Sequence, residues 1–200
     1  MVLIRPATAD DAEGIVAVRR ASWPAAYGGI LAPEIIESVI ARTDPARERA
    51  RFAERPWSHV LVAEDQPSPA PHPAARPAAA ITGYASYGIE RGVDGRPRQA
   101  RAGGGPGSRP LVAELYALYV APDQWSTGTG RALMDQVLAA VRAEAYPRMI
   151  LWVLRDNHRA RRFYERAGFR RRGGEHPSFA GAPEVRYARD LLPAPGPPLA

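Results

Sequence analysis

Cysteine is absent from the 200 residues, which excludes disulfides, thiolate metal sites and an acyl-cysteine intermediate. Histidine is scarce: His59, His72, His158 and His176 lack the spacing of a zinc motif, so no catalytic metal is expected. No run of eighteen apolar residues occurs, so no membrane-spanning helix is expected. The opening Met1-Val2-Leu3-Ile4-Arg5-Pro6 lacks a charged leader followed by a long apolar stretch. It reads as a first strand and points to a cytoplasmic location. Lysine is missing too, and all 27 basic residues are arginine.

The net charge is +6. Residues 91–109 carry five arginines against Asp94, and residues 155–172 carry eight against Asp156 and Glu165. The remainder of the chain is acidic. These clusters could attract the phosphates of a small cofactor. No nucleic-acid recognition motif accompanies them, so a nucleic-acid partner is not expected.

What is present fits one domain over residues 1–192, with flexible insertions at about 65–79 and 91–110 and a loose tail over 193–200. Helices are expected from Ala9 to about Tyr27, disturbed at its end by Trp23-Pro24, then from Pro33 through Ile40 and over 46–54. Strands are expected over 59–64, 81–89 and 111–120, the last the strongest. A helix over 130–144, a strand over 149–154 and a helix over 157–167 follow. Closing strands over 169–172 and 185–190 flank a loop holding Gly173, Gly174, Pro177 and Gly181. That order predicts an α+β, layered α/β domain around one central sheet.

The informative segment is Leu118-Tyr119-Val120-Ala121-Pro122-Asp123-Gln124-Trp125-Ser126-Thr127-Gly128-Thr129-Gly130-Arg131-Ala132-Leu133. A strand ends, a turn carries two spaced glycines, and a helix begins. Glycines let backbone N–H groups approach an anion, and the helix start adds free N–H groups and a positive dipole end. A pyrophosphate is the natural occupant, although a bare strand–helix turn would look the same. No Gly-Lys-Ser/Thr follows, and Leu133 takes the third glycine position of a dinucleotide fingerprint.

The second segment is Leu151-x-Val153-x-x-x-Asn157-x-x-Ala160-x-x-Phe163-Tyr164-x-x-x-Gly168-Phe169. Together the two resemble the paired motifs of the GNAT superfamily of acyl-CoA-dependent N-acyltransferases, and Trp23 to Leu31 is similar to the first-helix region of many members. The resemblance implies a mixed, mainly antiparallel sheet with helices on both faces, and acetyl-CoA as donor. It implies that main chain near Leu118, Tyr119 and Val120 meets the pantetheine arm. Ser126, Thr127, Gly128, Thr129, Gly130 and Arg131 would receive the pyrophosphate. Asn157 and its helix, with Ala160 and Phe163, would line the cofactor, and Tyr164 would stand near the thioester sulfur as general acid. Members commonly carry Gln or Arg, then Gly, where Trp125 and Ser126 stand here, so backbone amides and Arg131 must carry more of the recognition.

Without cysteine, direct attack by an amine in a ternary complex is the economical scheme. A backbone N–H at or near Val120 could stabilise the oxyanion. Glu114, placed by alternation on one face with Tyr116 and Leu118, could accept the amine proton directly or through water, or could be structural. Trp23 and Tyr27, four apart on a helix, could wall the acceptor site or belong to the core. By the same alternation Tyr116 and Tyr119 point to opposite faces, so at most one meets the acceptor. The expected reaction is N-acetylation of a small-molecule amine. The alternatives are a protein or peptide N-acetyltransferase and a non-catalytic acyl-CoA-binding protein. The resemblance is also compatible with a homodimer, which is common for such folds.

Overall fold

The computed structural model describes residues 2–65, 80–92, 95–98, 111–177 and 181–191. The expected insertions therefore fall mostly outside the described residues, and the expected tail falls wholly outside them. Among the described residues seven strands form one sheet: β1 (Val2–Pro6), β2 (Ser58–Asp65), β3 (Ala80–Ile89), β4 (Ala113–Val120), β5 (Arg148–Leu154), β6 (Arg170–Pro177) and β7 (Pro183–Asp190). Their order is β1-β2-β3-β4-β5-β7-β6. Every neighbouring pair is antiparallel except β4 and β5, which run parallel. The helices are α1 (Ala12–Tyr27), α2 (Pro33–Ala41), α3 (Pro45–Glu54), α4 (Thr129–Ala143) and α5 (His158–Arg166). This is the mixed α/β sheet with helices on both faces that the sequence leads one to expect. No helix among the described residues is long and apolar enough to cross a membrane.

The two faces are filled by different apolar stripes. Leu133, Met134, Val137, Leu138 and Val141 recur along α4 at helical spacing and bury against Ala85, Leu115 and Val120. On the other face Ile15 and Val18 of α1 bury against Val62 and Tyr84, while Trp23, Leu31, Ile36 and Leu154 form a third cluster. The α1 helix continues through Pro24 to Tyr27, beyond the disturbance expected there. Gly28 N–H bonds to the Pro24 carbonyl at 2.9 Å and closes its last turn. A second departure concerns β6, which runs through Gly173 and Gly174 where a loop was expected. Its register against β7 shifts between Arg171 and Glu175, and Gly173 takes φ +100°. The glycines form a bulge inside the strand, and their freedom to take positive φ makes that bulge cheap.

Two irregularities of β4 decide the geometry of the site. First, β4 pairs with β5 only at Ala113, Glu114 and Leu115, although the strands continue to Val120 and Leu154. Beyond Leu115 they part. Second, the β3–β4 register shifts between Ser86 and Tyr87, where Tyr116 is the extra residue. The bulge flips the alternation along β4. Leu115 pairs with Tyr87 and Ala117 with Ser86, so Glu114, Ala117 and Tyr119 share the α1 face, and Leu115, Leu118 and Val120 share the α4 face.

Candidate acyl-transfer cleft

The parting of β4 from β5 opens a cleft of about 1840 Å³ across the sheet. Ala121 N–H bonds to the Thr82 carbonyl at 2.8 Å, which fixes the phase of the β3–β4 ladder. In an antiparallel pair hydrogen bonding alternates, so Ala117 and Tyr119 bond to β3 while Leu118 and Val120 direct their N–H groups away from it, towards the gap. The Val120 carbonyl is held from two sides, accepting from Ser22 Oγ at 3.0 Å and from Trp125 Nε1 at 2.8 Å.

The turn that follows has the shape of an anion cradle. Ser126 takes φ +68° and Gly128 φ +102°, two left-handed residues that turn successive N–H groups to one side. The first α4 bond runs from Ala132 N–H to the Gly128 carbonyl at 2.9 Å, leaving the N–H groups of Thr129, Gly130 and Arg131 without helical acceptors. A Cβ built on Gly128 would meet nothing within 4 Å, so that side of the turn is open. The Thr127 and Thr129 hydroxyls, 3.0 Å apart, brace the turn, and Thr127 Oγ1 also donates to the Gln124 carbonyl at 2.8 Å. Arg131 is exposed and ion-paired with Asp135 at 3.6 Å. The departure at Ser126 is absorbed, because serine adopts the left-handed conformation that glycine would take. Trp125 makes two contacts of its own. Beyond its bond to Val120, its ring lies under the Arg159 guanidinium at 3.8 Å. Neither contact was visible in the sequence.

Asn157 caps α5, its Oδ1 accepting from Ala160 N–H at 3.0 Å. Ala160, Phe163 and Tyr164 line the cleft with it, and Phe163 packs within 3.6 Å of the space above Gly130. Tyr164 is buried, and that burial pushes its phenol well above the usual range. Its hydroxyl has no hydrogen-bond partner among the described residues. Such a group stays protonated and has its proton free to give.

Across the cleft, Trp23 and Tyr27 meet edge-on at 4.8 Å, Trp23 stacks on Tyr119 at 6.4 Å, and the Tyr27 and Tyr119 hydroxyls are 3.2 Å apart. Two expectations fail here. The bulge puts Glu114 on the face opposite Leu118. It also brings Tyr116 and Tyr119 to the same cleft: the Tyr116 hydroxyl lies 2.7 Å from where a Cβ of Gly88 would be, on the Glu114 face. Glu114 itself is 3% exposed and fully engaged by Arg91. Its Oε1 accepts from Arg91 Nη2 at 2.6 Å and Nε at 3.2 Å, and its Oε2 from Arg91 N–H at 2.8 Å. Arg91 also lies 4.1 Å over the Tyr116 ring. A carboxylate whose two oxygens are both taken up by Arg91 positions Arg91, and is poorly placed to meet a substrate amine.

Another carboxylate reaches the cleft unannounced by any motif. Glu184 of β7 lines it, with His176 Nε2 of β6 at 3.9 Å. No group of histidine, aspartate and glutamate among the described residues could hold a metal ion.

The profile of the acetyltransferase (GNAT) family matches residues 31–169, the stretch that contains β4, the turn, α4, β5 and α5. The chain belongs to this family. As a GNAT protein it is an acetyltransferase, and a curated relative agrees: an uncharacterised N-acetyltransferase of Mycobacterium tuberculosis is 32% identical over 166 residues, 82% of this chain and 85% of the relative. The same fold occurs in the PaiA N-acetyltransferase of Thermoplasma acidophilum in complex with coenzyme A, with a TM-score of 0.66, 19% identity, and 95% and 99% of the two chains covered. It occurs also in the putative acetyltransferase YncA of Salmonella typhimurium with acetyl-CoA, with a TM-score of 0.63, 19% identity, and 100% and 99% covered. The GNAT motifs thus meet at the gap between β4 and β5, with β4, its turn and α4 bounding one side and β5 and α5 the other, and the aromatic residues of α1 line it from the opposite face of the sheet.

Proposed function

We propose that the protein transfers an acetyl group from acetyl-CoA to the primary amine of a small molecule, by direct attack while both are bound. The observation that carries this reading is the alignment of two sets of free main-chain donors. The N–H groups of Leu118 and Val120 face the gap, and the left-handed turn at Ser126 and Gly128 leads them into the open start of α4. An extended arm bearing amides and ending in a pyrophosphate matches that run. The two acetyltransferases solved with coenzyme A and acetyl-CoA share the fold.

Acetyl-CoA supplies the activated thioester. The residues do the rest. Leu118 and Val120 would pair with the pantetheine amides and the acetyl carbonyl, where fixed donors in a desolvated cleft are worth most. The turn from Ser126 to Arg131 would bind the pyrophosphate, with Arg159, held flat on Trp125, adding positive charge beside it. Tyr164 would give its proton to the departing sulfur. Trp23, Tyr27, Tyr116 and Tyr119 would hold the acceptor, and the closeness of this aromatic wall favours a small amine over a folded protein.

The test is thiol release from acetyl-CoA with an amine panel, combined with mass spectrometry of the product. A Tyr164→Phe variant should lose roughly 10²-fold in turnover, the scale of one positioned proton donor, while acetyl-CoA affinity by calorimetry changes less than twofold. Tight acetyl-CoA binding with no thiol release for any amine would instead mark a cofactor-binding protein that has lost transfer.

A further inference from the structure

Among the described residues four carboxylates line the cleft: Glu90, Glu114, Asp156 and Glu184. Three are neutralised by arginine. Glu90 pairs with Arg186 at 3.3 Å, Glu114 with Arg91 at 2.6 Å, and Asp156 with Arg155 at 3.3 Å. Glu184 has no arginine ion pair among the described residues; its cation-forming neighbour is His176 at 3.9 Å.

Strand register fixes where Glu184 points. It stands opposite Leu154 of β5 and opposite His176 of β6, and residues directly opposite share a face. Leu154 packs with Trp23, Leu31, Ile36 and Tyr119, so Glu184 faces the aromatic wall. Trp152, two residues before Leu154 and on the same face, packs its ring on His176 at 3.9 Å. Leu154 is also the last residue of β5, at the far side of the gap. Glu184 therefore overlooks the acceptor side of the cleft.

We infer that Glu184 is the base that takes the proton from the attacking amine. The inference rests on the proposed transfer reaction and assigns a residue to it. The nitrogen lone pair forms the N–C bond and the C–S bond breaks with its electron pair on sulfur. The nitrogen proton passes to a Glu184 oxygen, and the Tyr164 proton passes to sulfur. Proton return from Glu184 to Tyr164 through solvent restores both groups.

The surroundings suit the role. Burial pushes the Glu184 carboxyl above its usual range; His176 from β6 and Arg91 beyond β3 oppose that shift, and Glu114 from β4 adds to it. Tyr119 of β4 also feels the Glu184 charge. A carboxyl raised towards neutrality is a better proton acceptor at the pH of the reaction.

The experiment compares pH profiles of kcat/KM for the wild type, Glu184→Gln, Glu114→Gln and His176→Gln. The probes are acetyl-CoA with tyramine, putrescine, lysine and dialanine, using whichever amine turns over fastest. Glu184→Gln should lower kcat about 10²-fold, abolish the acid limb and leave acetyl-CoA affinity within twofold. His176→Gln should move that limb to higher pH. Retention of the limb in Glu184→Gln, or its loss in Glu114→Gln alone, overturns the proposal. Carboxyl ¹³C NMR titration of the free protein reads Glu184 without turnover. If no amine reacts, the transfer reading fails and the base assignment falls with it; where transfer occurs, a signal absent from Glu184→Gln that titrates above the ordinary glutamate range supports the proposal. One that titrates within that range overturns it.

Discussion

The donor half of the cleft is lined by main chain from one continuous stretch, Leu118 to Arg131, followed by the single helix α5. The acceptor half is lined by side chains from α1, the segment after β3, and strands β4 to β7. Recognition by N–H groups depends on φ and ψ, so it survives replacement of side chains as long as the turn keeps its shape. Ser126 and Trp125 illustrate this, since both depart from the usual motif and the cradle remains. Recognition by side chains has no such tolerance, because Glu114, Tyr116 and Glu184 each depend on a particular neighbour in a distant element.

The contrast can be broken most forcefully on the acceptor side. Arg91→Ala leaves the buried Glu114 carboxylate without its guanidinium partner, keeping only the main-chain N–H bond, and should cost about 3 kcal/mol in denaturant unfolding. Acetyl-CoA affinity of the folded fraction should change less than twofold, because no donor-side N–H group moves. A parallel collapse of cofactor affinity would show that the halves are not independent. On the donor side, Gly128→Val forces a β-branched residue to φ +102°, with strain of about 1–2 kcal/mol. If the turn relaxes, acetyl-CoA affinity should fall roughly tenfold, which corresponds to about 1.4 kcal/mol, and calorimetry reads it directly.

Smaller effects sharpen the same comparison. Ser126→Gly removes left-handed strain at φ +68° but adds chain entropy to the unfolded state, for a net gain of roughly 0.5 kcal/mol. Its cofactor affinity should stay within twofold, in keeping with recognition by main chain. The smallest effect is a pH dependence. The Glu184 carboxyl is raised in the folded protein, so the native state binds its proton more tightly than the unfolded state does. The sign follows: this contribution to stability is complete below the ordinary glutamate value of about 4.3 and is lost as pH rises through the folded one. Relative to Glu184→Gln, the wild type should therefore gain stability as pH falls from 7 to 5, measured by thermal unfolding.

The donor half was legible in the sequence because its parts are neighbours along the chain. Strand, turn and helix occur in order, and the spacing from Asn157 to Tyr164 sets one helix face. The acceptor half was not. Nothing in Glu114-Leu115-Tyr116-Ala117-Leu118 marks a bulge: no glycine or proline interrupts the alternation, and the shift appears only against β3. Simple alternation thus assigned Glu114, Tyr116 and Leu118 to one face and separated Tyr116 from Tyr119. Glu184 lies in a strand separated from its partner β5 by α5 and β6 along the chain, and its environment is created by that pairing. Gly173 and Gly174 were legible as irregular, but not as a bulge within a paired strand.

The parting of β4 from β5 also bears on self-association. An unpaired strand edge usually recruits other strands, and proteins guard their outer edges for that reason. Here the bare edge lies in mid-sheet, with β5 and α5 on one side of it and α1 on the other. Another polypeptide strand would need side-chain room on both faces at once. A thin, linear molecule with amides along its length needs none, so the bare edge suits such a molecule better than a foreign strand.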